Sequence, residues 1–221
     1  MEIHRTFALL LSPVTFSLAT VLTLGSIEGK TLATIVSIVF IVVIPVADVI
    51  RKHLNGEVDI LVPERAMRGR FLIQAAISYS IGFILLKLLN AKMLSLLALT
   101  YLFVTLALIV LNKSITKVSV HMAGITGPAT FMLYSGIHTL GFAMMLLIPL
   151  LAWSRWRSGS HTIDQVLLGS VVSFLITFLT CHFASVFQSA FELLLGDSHV
   201  IRITRMYFQR QGSSVHALSE L

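Results

Sequence analysis

Six stretches of the chain carry no Asp, Glu, Lys or Arg: Thr6–Ile27, Thr31–Ala47, Phe71–Leu86, Met93–Asn112, Val118–Ser154 and Gln165–Phe191. About 20 apolar residues in a helix cross the hydrocarbon core of a bilayer. In lipid every backbone N–H and C=O must be satisfied internally, so such runs become helices unless the sheet closes into a barrel. The polar–apolar alternation of a barrel strand is absent. Only 12% of the 221 residues are charged and 56% are hydrophobic, about half the charge of an ordinary soluble domain. With 13 Gly, 5 Pro and 1 Cys, collagen, disorder and a disulfide scaffold are excluded as well. The first run exceeds the 7–15 apolar residues of a signal peptide core and is read as a span. The expectation is an all-α, polytopic transmembrane helical bundle.

Five runs fit one helix each. Val118–Ser154, at 37 residues, is too long for one helix. Its middle, Tyr134-Ser135-Gly136-Ile137-His138-Thr139, has Gly and polar groups where a turn belongs. A hairpin is expected there, roughly 119–137 out and 139–154 back, giving seven membrane segments; without it the count is six. Pro13, Pro45, Pro128 and Pro149 fall in spans and predict kinks, tolerated where neighbours satisfy the freed carbonyls. Gly124 and Gly127 suit close helix approach. One domain is expected over 1–197, followed by a basic amphipathic tail over 198–221.

The hairpin puts segments 51–70, 113–124 and 154–165 on one face. It gathers Arg51, Lys52, Arg65, Arg68, Arg70, Lys113, Lys117, Arg155 and Arg157 there, nine of the 16 Lys and Arg residues. Such a surface suits a phosphate or diphosphate headgroup. Arg51, Lys52 and Arg157 are read instead as ordinary interfacial charges. In 59–71 three arginines precede a helix, and guanidinium forks match phosphate oxygens. In Lys117-Val118-Ser119-Val120-His121, Ser119 is a natural N-cap, and the helix N-terminus favours an anion beside Lys117. In Ser154-Arg155-Trp156-Arg157-Ser158-Gly159-Ser160-His161-Thr162-Ile163-Asp164, Thr162 and Gln165 have capping-box spacing. His161 and Asp164 stand three apart, so the carboxylate can hold one imidazole nitrogen and leave the other as base or nucleophile.

Ser-Arg-x5-His161 with an Asp shortly after resembles the third signature of the phosphatidic-acid phosphatase type 2 superfamily. Ser119-x-His121 resembles its second, Pro-Ser-Gly-His, and the Arg-rich stretch resembles its first, Lys-x6-Arg-Pro. The likeness covers about residues 51–180. It implies that His161 attacks phosphorus, Asp164 orients His161 and His121 protonates the departing oxygen. Arg155, Lys117, Ser119, Arg65, Arg68 and Arg70 would hold the phosphate. The chain departs from the pattern at several places. The family leaves three residues between His and Asp, a spacing that falls on Gln165 here, so either Asp164 or Gln165 orients the ring. No Arg-Pro pair occurs, and Lys117 and Val120 replace the Pro and Gly of the second signature.

The function expected from residues and resemblance together is a membrane phosphatase. It acts on a lipid phosphate or isoprenoid diphosphate through a phosphohistidine, or passes the phosphate to an alcohol. No metal or other cofactor is expected: the cationic groups can neutralise phosphate, and Asp48, Asp59 and Glu64 are too scattered to hold Mg²⁺. The partners expected are the lipid substrate and membrane lipids, not nucleic acid. The rival readings are a non-enzymatic lipid-binding protein and, less favoured, a haem-binding electron-transfer subunit using His121, His138, His161 or His182. The resemblance implies an active face away from the cytoplasm. With Arg65, Arg68, Arg70, Lys117 and Arg155 assigned to phosphate, the remaining Lys and Arg divide five to six between the faces, which sets no orientation.

Overall fold

The computed structural model describes residues 10–57 and 65–195. From Pro13 onward these form seven helices: α1 Pro13–Glu28, α2 Thr31–Leu54, α3 Arg65–Leu88, α4 Lys92–Ser114, α5 Val120–Tyr134, α6 His138–Arg157 and α7 Ile163–Leu195. Among the described residues there is no strand. Five helices are long and apolar enough to cross a membrane: α2, α3, α4, α6 and the Ile163–Phe187 part of α7. At 16 and 15 residues, α1 and α5 rise only about 22–24 Å, short of a hydrocarbon core of about 30 Å.

The break in the long uncharged run falls where the turn residues stand. Ser135-Gly136-Ile137 separates α5 from α6, with Gly136 at φ 78°, a left-handed conformation that only Gly adopts without cost. The two helices pack along their length, and a Cβ on Gly141 would meet Leu133 Cγ at 2.7 Å. The return path brings the end of α6 beside the start of α5, so Met122, Ile125, Leu151 and Val166 share one core.

The prolines occupy three kinds of place. Pro13 makes no kink: Ser12 caps α1, accepting the Thr15 N–H, and Pro13 takes the first helical turn, where its missing N–H costs nothing. Pro45 follows a π-helical segment, Ile38–Val43. In a π-turn its absent N–H would have served the Phe40 carbonyl, and that carbonyl accepts from Ser78 Oγ at 2.6 Å instead. One turn on, the Ile44 carbonyl accepts from Gln74 Nε2 at 2.8 Å. Pro128 and Pro149 lie inside α5 and α6.

The helices alternate in direction. The α1–α2 and α3–α4 turns meet at one end, where Lys30 Nζ donates to the Asn90 carbonyl at 2.6 Å. The starts of α3, α5 and α7 and the ends of α4 and α6 gather at the other. The larger core lies between α1, α2, α3 and α4, around Leu24, Ile41, Leu86, Leu94 and Leu97, all nearly inaccessible. The chain divides into a unit ending at Cys181 and a second from His182. Every described residue of the candidate phosphate site belongs to the first, and His182 opens the second. The boundary expected at 197/198 and the tail over 198–221 lie outside the described residues.

Candidate functional site

The site is built at three helix ends. Ser119 caps α5, accepting the Met122 N–H at 3.4 Å. Thr162 and Gln165 form the capping box of α7. The Gln165 N–H donates to Thr162 Oγ1 at 3.4 Å and the Thr162 N–H donates to Gln165 Oε1 at 3.3 Å, so each satisfies an otherwise orphaned donor of the first turn. The loop between α6 and α7 is closed by the His161 N–H donating to the Arg155 carbonyl at 3.3 Å, with Gly159 at φ 65°.

The loops holding the two histidines are tied together. The Ser119 N–H donates to the Gln165 carbonyl at 3.2 Å, Lys117 Nζ to the Ser160 carbonyl at 2.8 Å, and Gln165 Nε2 to Thr116 Oγ1 at 3.2 Å. Gly169 makes this approach possible: a Cβ there would stand 2.6 Å from the Ser119 carbonyl oxygen, a distance that requires the backbone to move.

Around these loops converge Arg68 from α3, Lys117 before α5, His121 in the first turn of α5, Arg155 at the end of α6, and His161. Arg68 is 6% exposed and donates to the Val118 carbonyl at 2.8 Å. Arg155 is 1% exposed, the bulkiest of the fully buried side chains. His161 is 5% exposed, and His121 is half-buried. The ring of His161 resists protonation. Burial, then Arg68, Arg155 and Lys117, push its pKa down to about 3, and only the Gln165 hydrogen bond opposes them. The same surroundings lower the ammonium of Lys117, burial first and then Arg68 and Arg155. His161 is therefore neutral at pH 7, with a lone pair available.

His121, His161 and Arg68 line one cavity of about 390 Å³, within the range of roughly 300–1,000 Å³ typical of small-molecule sites. Away from these three groups its walls are mostly apolar, with Val46, Phe71, Leu72, Val104 and Leu108 among them. On α3 the lining runs from Arg68 to Tyr79, about 16 Å of helix at 1.5 Å per residue. The shape is a basic head above an apolar shaft.

Several expected residues lie elsewhere. Asp164 is exposed, and it is Gln165 Oε1 that reaches His161 Nδ1, at 3.2 Å. Arg70 is exposed and lines a separate groove with Phe40, Ile44 and Gln74. Two residues on from Arg68 it points about 200° around the helix. The side chain of Arg65 lies outside the described residues. Arg51 pairs with Asp48 at 2.7 Å, and Lys52 lies over the Phe71 ring. Arg157 is exposed. His138 opens α6 at the hairpin turn, a helix length from His121. Sequence reading missed Thr116 and Gly169. Neither residue type announces a site, and only the approach of the two loops gives them one.

No family model, curated protein or solved structure matches the chain.

Proposed function

We propose that the chain is a multi-pass membrane phosphatase that hydrolyses a lipid phosphate or isoprenoid diphosphate through a phosphohistidine on His161. The observation that carries this reading is the single cavity with both histidines and Arg68 at its head and hydrocarbon along its shaft. An amphiphile with a phosphate head has that polarity.

The chemistry follows from the residues. Phosphoryl transfer needs in-line positioning and neutralisation of charge on the equatorial oxygens. Arg68, Lys117 and Arg155 supply the neutralisation, with the N-terminus of α5 behind Ser119 adding oriented N–H groups. This is the charge compensation that a metal ion provides in other phosphatases. Neutral His161 attacks phosphorus, a P–N bond forms, and the P–O bond to the lipid breaks. The phosphate anion, once bound, favours a proton on His121, which passes it to the departing oxygen. Water then enters, His121 takes its proton, the hydroxide oxygen bonds to phosphorus, and the P–N bond breaks to release phosphate.

The test is phosphate release by the purified protein from lipid phosphates in EDTA. Activity is expected, and His161→Ala should reduce it at least 10³-fold, the scale lost when a nucleophile is removed. Full activity of the variant would end the nucleophile assignment. Headgroup binding without turnover in the wild type would favour a lipid-binding protein.

A further inference from the structure

His161 has two ring nitrogens, and a phosphoryl acceptor must offer one as a bare lone pair. Nδ1 lies 3.2 Å from Gln165 Oε1. The backbone decides which amide atom faces the ring. The Thr162 N–H meets that same atom at 3.3 Å, and a peptide N–H can only donate. The atom is therefore the carbonyl oxygen, and the other end of the amide is the NH₂ group that donates to Thr116 Oγ1 at 3.2 Å. A ring nitrogen facing a carbonyl oxygen carries the hydrogen. Nδ1 is then protonated and Nε2 is bare.

We infer that Gln165 is the positioning residue of His161 and that Thr116 pins its amide, so that Nε2 is the nitrogen that takes the phosphoryl group. The identity of the nucleophile rests on the phosphatase reading; the tautomer rests on the hydrogen bonds alone. A neutral partner at this place has a chemical consequence. A carboxylate would draw positive charge onto the ring and raise its basicity. An amide fixes the same tautomer and raises the basicity less, since it carries no charge. After transfer, the Nδ1–H of the phosphoimidazole faces a neutral oxygen, and the ring remains a good leaving group. Water oxygen bonds to phosphorus, the P–Nε2 bond breaks with its electron pair returning to Nε2, and the proton of water passes to His121. The phosphoenzyme is accordingly short-lived. The other groups acting on the ring are Arg68 from α3, Lys117 before α5, His121 on α5 and Arg155 on α6. None of these is an anion, so against burial and these cations the group at position 165 is what holds the basicity of His161 up, a carboxylate more than an amide.

The full chain, labelled with ¹⁵N-histidine in lipid nanodiscs at neutral pH, reads the tautomer without turnover. The His161 signals, identified by their loss in His161→Gln, should show a protonated Nδ1 and a bare Nε2. Gln165→Leu, which removes the acceptor, should populate the other tautomer, and Gln165→Glu should keep the first. A wild-type ring protonated at Nε2 overturns the inference, whatever the activity. Rapid-quench trapping with a short-chain lipid phosphate gives the second readout. The phosphoryl group should sit on Nε2. Gln165→Leu should slow turnover about 10–100-fold, the usual cost of an orienting partner. Gln165→Glu should move the acid limb of the pH–rate profile upward and raise the phosphoenzyme level at steady state. Phosphate release with a full rate in Gln165→Leu and an unmoved profile in Gln165→Glu would overturn the inference while leaving the phosphatase standing. The expected tautomer in a protein that hydrolyses no lipid phosphate would support the inference and remove the phosphatase.

Discussion

The two ends of the helix bundle spend their charges differently. At the α1–α2 and α3–α4 turns, Glu28 accepts the Met93 N–H, and Lys30 donates to the carbonyls of Leu89 and Asn90. An acid and a base there finish the open ends of helices. At the other end Arg68 and Lys117 also reach carbonyls, those of Val118 and Ser160. There, however, the charges acting on His161 among the described residues are all positive. Capping requires no such excess. Like charges that converge in a partly buried place raise each other's energy, and a dianion relieves that cost. The comparison therefore separates charge that completes helix ends from like charge that converges beyond what capping needs.

The comparison can be broken most severely at Arg155. Arg155→Ala should lower kcat/KM for a lipid phosphate about 10²–10³-fold, the loss expected from one preorganised donor. Arg155→Lys should recover only part of it, because an ammonium cannot reproduce the guanidinium fork. A rate within twofold of wild type would deny Arg155 a role at phosphate.

Gly169→Ala should disturb the same end through packing. The added methyl meets the Ser119 carbonyl, so a cost of about 1–3 kcal/mol is expected in a thermal or denaturant midpoint, together with reduced turnover. An unchanged midpoint would show that α7 does not press on the cap of α5.

Acid offers a gentler probe. The folded state holds His161 near pKa 3 against an ordinary value of 6.5, so the unfolded chain binds the proton first. The contribution of the neutral ring is complete above pH 6.5 and is lost as pH falls from 6.5 towards 3. His161→Gln should lose less thermal stability between pH 7 and pH 5 than wild type does, and equal losses would refute the depressed pKa.

The smallest effect is expected at the opposite end. Lys30→Met should change stability by no more than about 1–2 kcal/mol, as for a half-buried side chain that caps two carbonyls, and leave kcat/KM intact. A loss of activity there would erase the distinction between the two ends.

Much of the fold was legible because lipid admits few solutions. Uncharged runs marked the helices, and Gly136 marked the break between α5 and α6. Membrane crossings were less legible than helices: capping by Ser12 starts α1 only at Pro13, and the turn at Ser135-Gly136-Ile137 ends α5 at Tyr134. In the site, the Thr162–Gln165 capping box follows a rule readable from spacing. Asp164 misled because the count of three from His161 assumed that both lie on one helix. His161 precedes the cap. The box bends Gln165 back over the N-terminus to reach it, while Asp164, one residue earlier, turns to the outside. Arg70 misled for want of a helical phase, since nothing in the run of arginines says which one faces inward.

The proline in α2 has a mechanical consequence. A bond that would have run along the helix runs sideways to α3, through Ser78 to Phe40, and Gln74 adds a second tie one turn away. Two rivets at successive turns resist sliding and rotation together. α2 and α3 thus move as one beam, and a load on either, such as a shift in bilayer thickness, is shared by both.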